Sequence, residues 1–137
     1  MSYETFDHTA DVGLRVQASE LNRLFADAGR GLFSLIVPDL ASVRPLESIH
    51  LELSGEPSEL LLFDWLSELL FIYETRRLLL CEFDVMVSES GVSATARGEP
   101  IDAVRHQLDH EVKAITYHGL KLERQGDGWL AEVIVDI

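Results

Sequence analysis

Val12, Leu14 and Val16 alternate with Gly13, Arg15 and Gln17. That period of two predicts a half-buried strand with Asp11 on its polar face. The period then lengthens. Leu21, Leu24, Phe25, Ala28, Leu32, Leu35 and Ile36 recur at helical spacing behind Ser19, which is suited to cap the first turn, and Pro38 ends the run. Ile49, Leu51 and Leu53 return to alternation and are punctuated by Gly55 and Pro57. Residues 57–77, PSELLLFDWLSELLFIYETRR, predict a second helix. Apolar residues surround most of its circumference, so it is expected to be the most buried helix, with Arg76 and Arg77 complementing the dipole at its end.

Beyond this helix the period is mostly two. Phe83, Val85 and Val87, a turn at 88–91, and Val92, Ala94 and Ala96 predict a hairpin. Residues 98–110 are less regular, and residues 111–124 and 128–137 predict two strands joined by a turn at 125–128. The expected class is therefore α+β, with two helices packed on one face of a mainly antiparallel mixed sheet. Without repeats, low-complexity segments or long linkers, residues 1–137 are expected to form a single compact domain.

Composition narrows the functional classes. Of 137 residues, 47% are hydrophobic, which suffices for one core, and 24 acidic against 11 basic side chains give a net charge of −13. Such a surface repels phosphate backbones, so direct nucleic-acid binding is not expected. It suits cations or a basic protein partner, although solubility alone accounts for most of the charges. Apolar runs such as residues 60–63 fall far short of a membrane span of about 20 residues. Residues 1–4 lack the features of a secretory signal, which points to the cytoplasm. The single cysteine, Cys81, follows Leu78, Leu79 and Leu80 and reads as a buried thiol. Gly29 and Gly31 fall inside the first helix with no lysine after them, so no phosphate loop is present.

Candidate chemistry gathers at the chain end. Trp129, Ala131, Val133, Val135 and Ile137 share one strand face, which turns Asp136 to the other, one residue from the carboxylate of Ile137. If Asp11 lies beside Asp136, three carboxylates converge on a site suited to calcium or magnesium; otherwise Asp11 is a turn residue. His106 and His110 have i, i+4 spacing but lack the glutamate of a metalloprotease helix, and an extended conformation fits them equally well. They, with His50 and His118, read as structural or solvent-facing, whereas His8 stands near Asp11. Asp64 and Glu68 read as the wet stripe of the second helix. Trp65, Phe71 and Tyr73 read as core or edge packing.

Four segments in register, FDHTADVGLRV at 6–16, LLFDWLSELLF at 61–71, EVKAITYHGL at 111–120 and VIVDI at 133–137, closely resemble the archease family over essentially the whole chain. Departures are mild, at Gln17, Ala18 and Ser67. The resemblance implies a protein cofactor of the tRNA-splicing RNA ligase that joins 3′-phosphate or cyclic-phosphate ends to 5′-hydroxyls. Such a cofactor promotes guanylylation of the ligase and multiple turnover, and it meets GTP and RNA only through the ligase. The resemblance also implies a divalent metal, calcium first with magnesium or manganese as substitutes, on Asp11, Asp136 and Ile137, with Lys113 as a further functional residue and no catalytic residue. The alternative is a small metal-dependent phosphohydrolase using Asp11, Asp136, His8 and Lys113. A terminal carboxylate suits an exposed tip better than an enclosed pocket.

Overall fold

The computed structural model describes residues 2–8 and 11–137, the side chains of Asp7 and His8 excepted. Strands β1 (Ser2–His8) and β2 (Asp11–Ala18) lead into α1 (Leu21–Ile36), followed by β3 (Glu47–Ser54) and α2 (Glu59–Arg76). Strands β4 (Leu78–Ser88), β5 (Gly91–Pro100), β6 (Ala114–Ile115), β7 (Lys121–Gln125) and β8 (Gly128–Asp136) complete the chain. The class is the expected α+β. Within it the strands divide into two sheets, one in the order β1-β2-β8 with β6 and β7 both paired to the far side of β8, the other in the order β3-β5-β4. Every pairing among the described residues is antiparallel.

A single apolar cluster joins Leu14 of β2, Phe25 of α1, Trp65 of α2, Leu79 of β4 and Val133 of β8. The helices are tied by a hydrogen bond from Trp65 Nε1 to the Phe25 carbonyl, at 2.9 Å. Contrary to the expectation from hydropathy, α1 is the more buried helix: every residue from Leu24 to Gly29 is buried. The reason is its location, since it packs on β4 of one sheet and β2 of the other. Gly31 makes this possible, because a Cβ there would stand 2.6 Å from Leu14 Cδ1. Helix α2 covers fewer strand residues and keeps Leu60, Asp64 and Phe71 exposed.

Helix ends follow local chemistry only in part. Ser58 caps α2, its Oγ accepting the Leu61 N–H at 3.3 Å. Arg77 closes the same helix at φ 52°, donating its N–H to the Tyr73 carbonyl. Ser19, expected to cap α1, lies one residue too early; Glu20 holds that position and makes no side-chain cap bond.

Two segments depart from the predicted elements. Strand β1 was not anticipated, because SYETFDH at an open sheet edge has little apolar alternation; it is held by pairing with β2 from Ser2–Gln17 to His8–Asp11. Its start is also tied to α1, where the buried Asp27 accepts the Ser2 N–H at 3.2 Å. Burial pushes the Asp27 carboxyl above its ordinary range. The predicted strand at 111–124 is interrupted. Thr116 Oγ1 donates to the Ile134 carbonyl at 2.8 Å, Leu120 N–H to the Tyr117 carbonyl at 3.2 Å, and Gly119 takes φ +65°. This turn separates β6 from β7.

The hairpin of β4 and β5 is as expected, with a register shift between Leu80 and Glu82. Cys81 at that shift is half-buried, and burial raises its thiol above the ordinary range, in keeping with an unreactive side chain. Beside it, a Cβ on Gly98 would overlap the Leu79 carbonyl oxygen. Gly98→Ala is therefore expected to cost about 3 kcal/mol. Gly119→Ala, which meets nothing within 4 Å, should cost about 1 kcal/mol, the penalty of a left-handed backbone alone. Urea unfolding of the two variants checks this, and equal losses would contradict the close approach of β5 to β4.

Candidate functional site

The antiparallel register of β2 with β8 pairs Val12 with Val135, Leu14 with Val133 and Val16 with Ala131, all buried. The same register sets Asp11 opposite Asp136 at the end of the ladder. On one side His8 of β1 stands opposite Asp11, and on the other Ala114 of β6 stands opposite Asp136. Directly paired residues share a sheet face, so Asp11 and Asp136 project together, away from the face carrying Val12, Val135 and Ile115. Both aspartates are half-buried.

The last residues are fixed from both sides. The Lys113 N–H donates to the Asp136 carbonyl at 2.8 Å, and the Thr116 N–H to that of Ile134 at 3.1 Å. Ile137 packs its half-buried side chain against the core, which anchors the main chain just beyond Asp136. The carboxylates of the two aspartates are hard oxygen donors, the kind that calcium or magnesium takes. Among the described residues no three His, Cys, Asp or Glu side chains surround a cation position. The backbone of His8 belongs to the row; its side chain, with Thr9 and Ala10, lies outside the described residues.

Lys113 joins the site through its main chain. The residue itself is exposed and lines a cleft of about 550 Å³ with Tyr73, Arg77 and His110, where the Arg77 guanidinium lies 5.3 Å above the Tyr73 ring. The cleft also carries Glu74, Asp109 and Glu111, so its charge is mixed.

Sequence reasoning did not find the charge ladder that crosses the same sheet face. Glu4, Arg15, Glu132 and Lys121 are cross-strand neighbours in one row. Arg15 lies 2.8 Å from Glu4 and 2.6 Å from Glu132, and Lys121 lies 3.7 Å from Glu132. Hydrogen bonds from Arg15 hold the Glu132 carboxyl below its ordinary range, and those to Glu4 and Glu132 raise Arg15. Between this row and the aspartates, Phe6 covers Gly13, and Arg15 lies 4.8 Å above the Phe6 ring. The signal was parity: Arg15 follows Asp11 by four residues and Glu132 precedes Asp136 by four, so each pair shares a face. The register that brings them together is not visible in either strand alone.

A second polar network stabilises the segment that delivers β6. Glu99 and His106 are both buried. Glu99 accepts the Arg44 N–H at 2.7 Å, the Arg105 guanidinium and His106 Nε2 at 3.1 Å. The Asp102 N–H donates to His106 Nδ1 at 2.9 Å, so the ring proton sits on Nε2 and points to Glu99. His106 is therefore structural, as expected, and His110 follows in irregular backbone, with its N–H bonded to the Leu35 carbonyl.

These features define a small two-sheet α+β domain whose acidic strand ends meet in one row. The model of the Archease protein family (MTH1598/TM1083) matches residues 3–137, and the chain belongs to that family. It is 42% identical over 141 residues to the protein archease of Methanopyrus kandleri, with 100% of both chains covered. The solution structure of Methanobacterium thermoautotrophicum protein 1598 is similar at TM-score 0.88 and 34% identity, with 98% of each chain covered. The crystal structure of a Thermotoga maritima protein, described as an archease and possible chaperone, shares the fold at TM-score 0.65 and 20% identity, covering 100% of this chain and 98% of that one.

The Glu99 network makes a pH prediction. Burial raises the Glu99 carboxyl, but the hydrogen bonds from Arg44, Arg105 and His106 outweigh it and lower the carboxyl from 4.5 to about 2. A depressed carboxyl contributes stability above its unfolded value and loses it as pH falls toward its folded value. Wild-type stability should therefore decline as pH falls from about 4.5 to about 2. Glu99→Gln should be less stable at neutral pH and show a shallower decline over that window, measured by urea unfolding at stepped pH. Parallel curves for the two proteins would contradict the assignment.

Proposed function

We propose that this chain is a protein cofactor of the RNA ligase that joins 3′-phosphate to 5′-hydroxyl ends in tRNA splicing or RNA repair, and that it acts from an acidic tip that holds a divalent cation. The observation that carries this reading is the register pairing of Asp11 with Asp136 beside the Ile137 main chain, on a sheet end of a domain belonging to the archease family. Asp11, Asp136 and the Ile137 carboxylate would hold calcium, with magnesium or manganese as substitutes, at the edge of the domain. When bound, the cation supplies charge that neutralises carboxylate or phosphate oxygens. The aspartates orient that charge toward the partner, and Lys113 fixes Asp136 through its main chain while adding a positive group to the adjacent cleft.

On this reading the protein speeds guanylylation of the ligase and allows multiple turnover by positioning and electrostatics, with no covalent chemistry of its own. It meets GTP and RNA through the ligase, in the cytoplasm. A net charge of −13 supports a protein surface, and not nucleic acid, as its direct contact. No described helix is long and apolar enough to cross a membrane.

Multiple-turnover RNA joining with limiting ligase tests the proposal. Wild type is expected to stimulate joining. Asp11→Asn and Asp136→Asn should lower that stimulation by at least about tenfold, the loss seen even when residues that merely support metal ligands are removed. Unchanged stimulation by both variants would contradict the site, and no stimulation by wild type would contradict the function. Saturable phosphatase turnover by the isolated protein with calcium, magnesium or manganese would favour the phosphohydrolase alternative.

A further inference from the structure

Tyr117 is an aromatic side chain presented to solvent on a fixed base. It is 62% exposed, yet its ring stacks on Phe63 of α2 with centroids 4.0 Å apart and planes at 15°. The turn beneath it is held by the Thr116 and Leu120 hydrogen bonds and by the His118 N–H donating to Thr116 Oγ1 at 3.2 Å. Leu60, one helical turn before Phe63 on the same side of α2, is 61% exposed. Leu60, Phe63 and Tyr117 therefore form an apolar step of low conformational entropy, the kind of anchor that concentrates binding energy.

The surroundings specify what covers this step. Glu56, Glu59 and Asp64, chain neighbours of Leu60 and Phe63, are exposed, and residues 56–75 contain no lysine or arginine. These carboxylates on the α2 side of the step fit arginine and lysine side chains that pair with them and lie over the open face of the Tyr117 ring. By alternation Tyr117 shares the Ile115 face, opposite the aspartates, and lies past the end of β6. Tyr117 follows Ala114, the neighbour of Asp136, by three residues, at most about 10 Å of chain. A partner that wraps the end of β6 touches both within an interface of ordinary size, about 800 Å² per partner.

The geometry points to Leu60, Phe63 and Tyr117 as the docking anchor for a basic surface of the partner protein whose nucleotide site receives the aspartate row. This rests on the ligase reading above, and it adds a division of labour: the aromatic step supplies affinity, while the aspartates supply stimulation.

The test uses the full chain and the purified RNA ligase of the same organism, with affinity measured by calorimetry at low and high salt and joining measured at saturating cofactor. Tyr117→Ala and Leu60→Ala should each weaken binding by about tenfold or more, with maximal stimulation retained once the variant is saturating. Tyr117→Phe, which keeps the stack, should bind like wild type, and higher salt should weaken binding by wild type. Thermal melting of each variant separates lost docking from lost folding. If both alanine variants melt and bind like wild type while Asp11→Asn abolishes stimulation, the docking inference fails and the ligase reading stands. If wild type neither binds nor stimulates the ligase, both fail. RNA binding by the isolated protein that Tyr117→Ala removes would overturn the inference in favour of a nucleic-acid occupant.

Discussion

The pairing of β2 with β8 is the constraint on which both core and site depend. A slip of one residue in either strand would turn Val12, Leu14 and Val16, or Val133 and Val135, from the core to the opposite face. That hydrophobic cost fixes the register, and the register sets Asp11 against Asp136. The pairing of the two aspartates is thus imposed by burial further along the same two strands. Local preference does not put it there. Placing β6 against the other side of β8 then brings the Lys113 main chain to Asp136.

The rest of the molecule holds that arrangement at its edges. Helix α1, between two sheets, packs against the buried face of β2, and the close contact at Gly31 lets helix and sheet meet. The outer face is organised by charge: the row of Glu4, Arg15, Glu132 and Lys121 alternates in sign across four strands, two same-face steps from the aspartates. Behind the site, the buried carboxylate of Glu99 gathers donors from Arg44, Arg105 and His106 and gives the irregular segment before β6 a defined course. The protein is strongly acidic, and among the described residues no buried side-chain nitrogen or oxygen lacks a hydrogen-bond partner.

Much of this was legible in the residue pattern. The alternation at 12–16 and 129–137 assigned both central strands and the face of each aspartate, and helical spacing placed α1 and α2 within a few residues. What stayed hidden depended on contacts between segments distant in the chain. SYETFDH lacks alternation because an edge strand has little to bury, and β1 forms through the hydrogen bonds of β2. Hydropathy ranked α2 as the deeper helix because it counts apolar residues; the small residues that bury α1, glycines and alanines, score weakly although they permit the closest packing. The run at 111–124 looked continuous until Thr116 and Gly119 turned it. For the site, spacing offered convergence of Asp11 with Asp136 only as one alternative, and the family resemblance supplied the reason to favour it. Tyr117 fell inside that predicted strand, and its exposure follows from the same turn.

The central claim is that the end of the β2–β8 ladder, with the Ile137 carboxylate, is a divalent-cation site. The most direct measurement is titration of the isotopically labelled protein with calcium chloride, followed residue by residue through its amide and carboxyl NMR signals. The account predicts saturable shifts confined to Asp11, Asp136, Ile137 and the adjoining residues Lys113 and Ala114, and their loss when one residue is added after Ile137. Shifts that do not saturate, that spread evenly over the acidic surface, or that survive the added residue would contradict it.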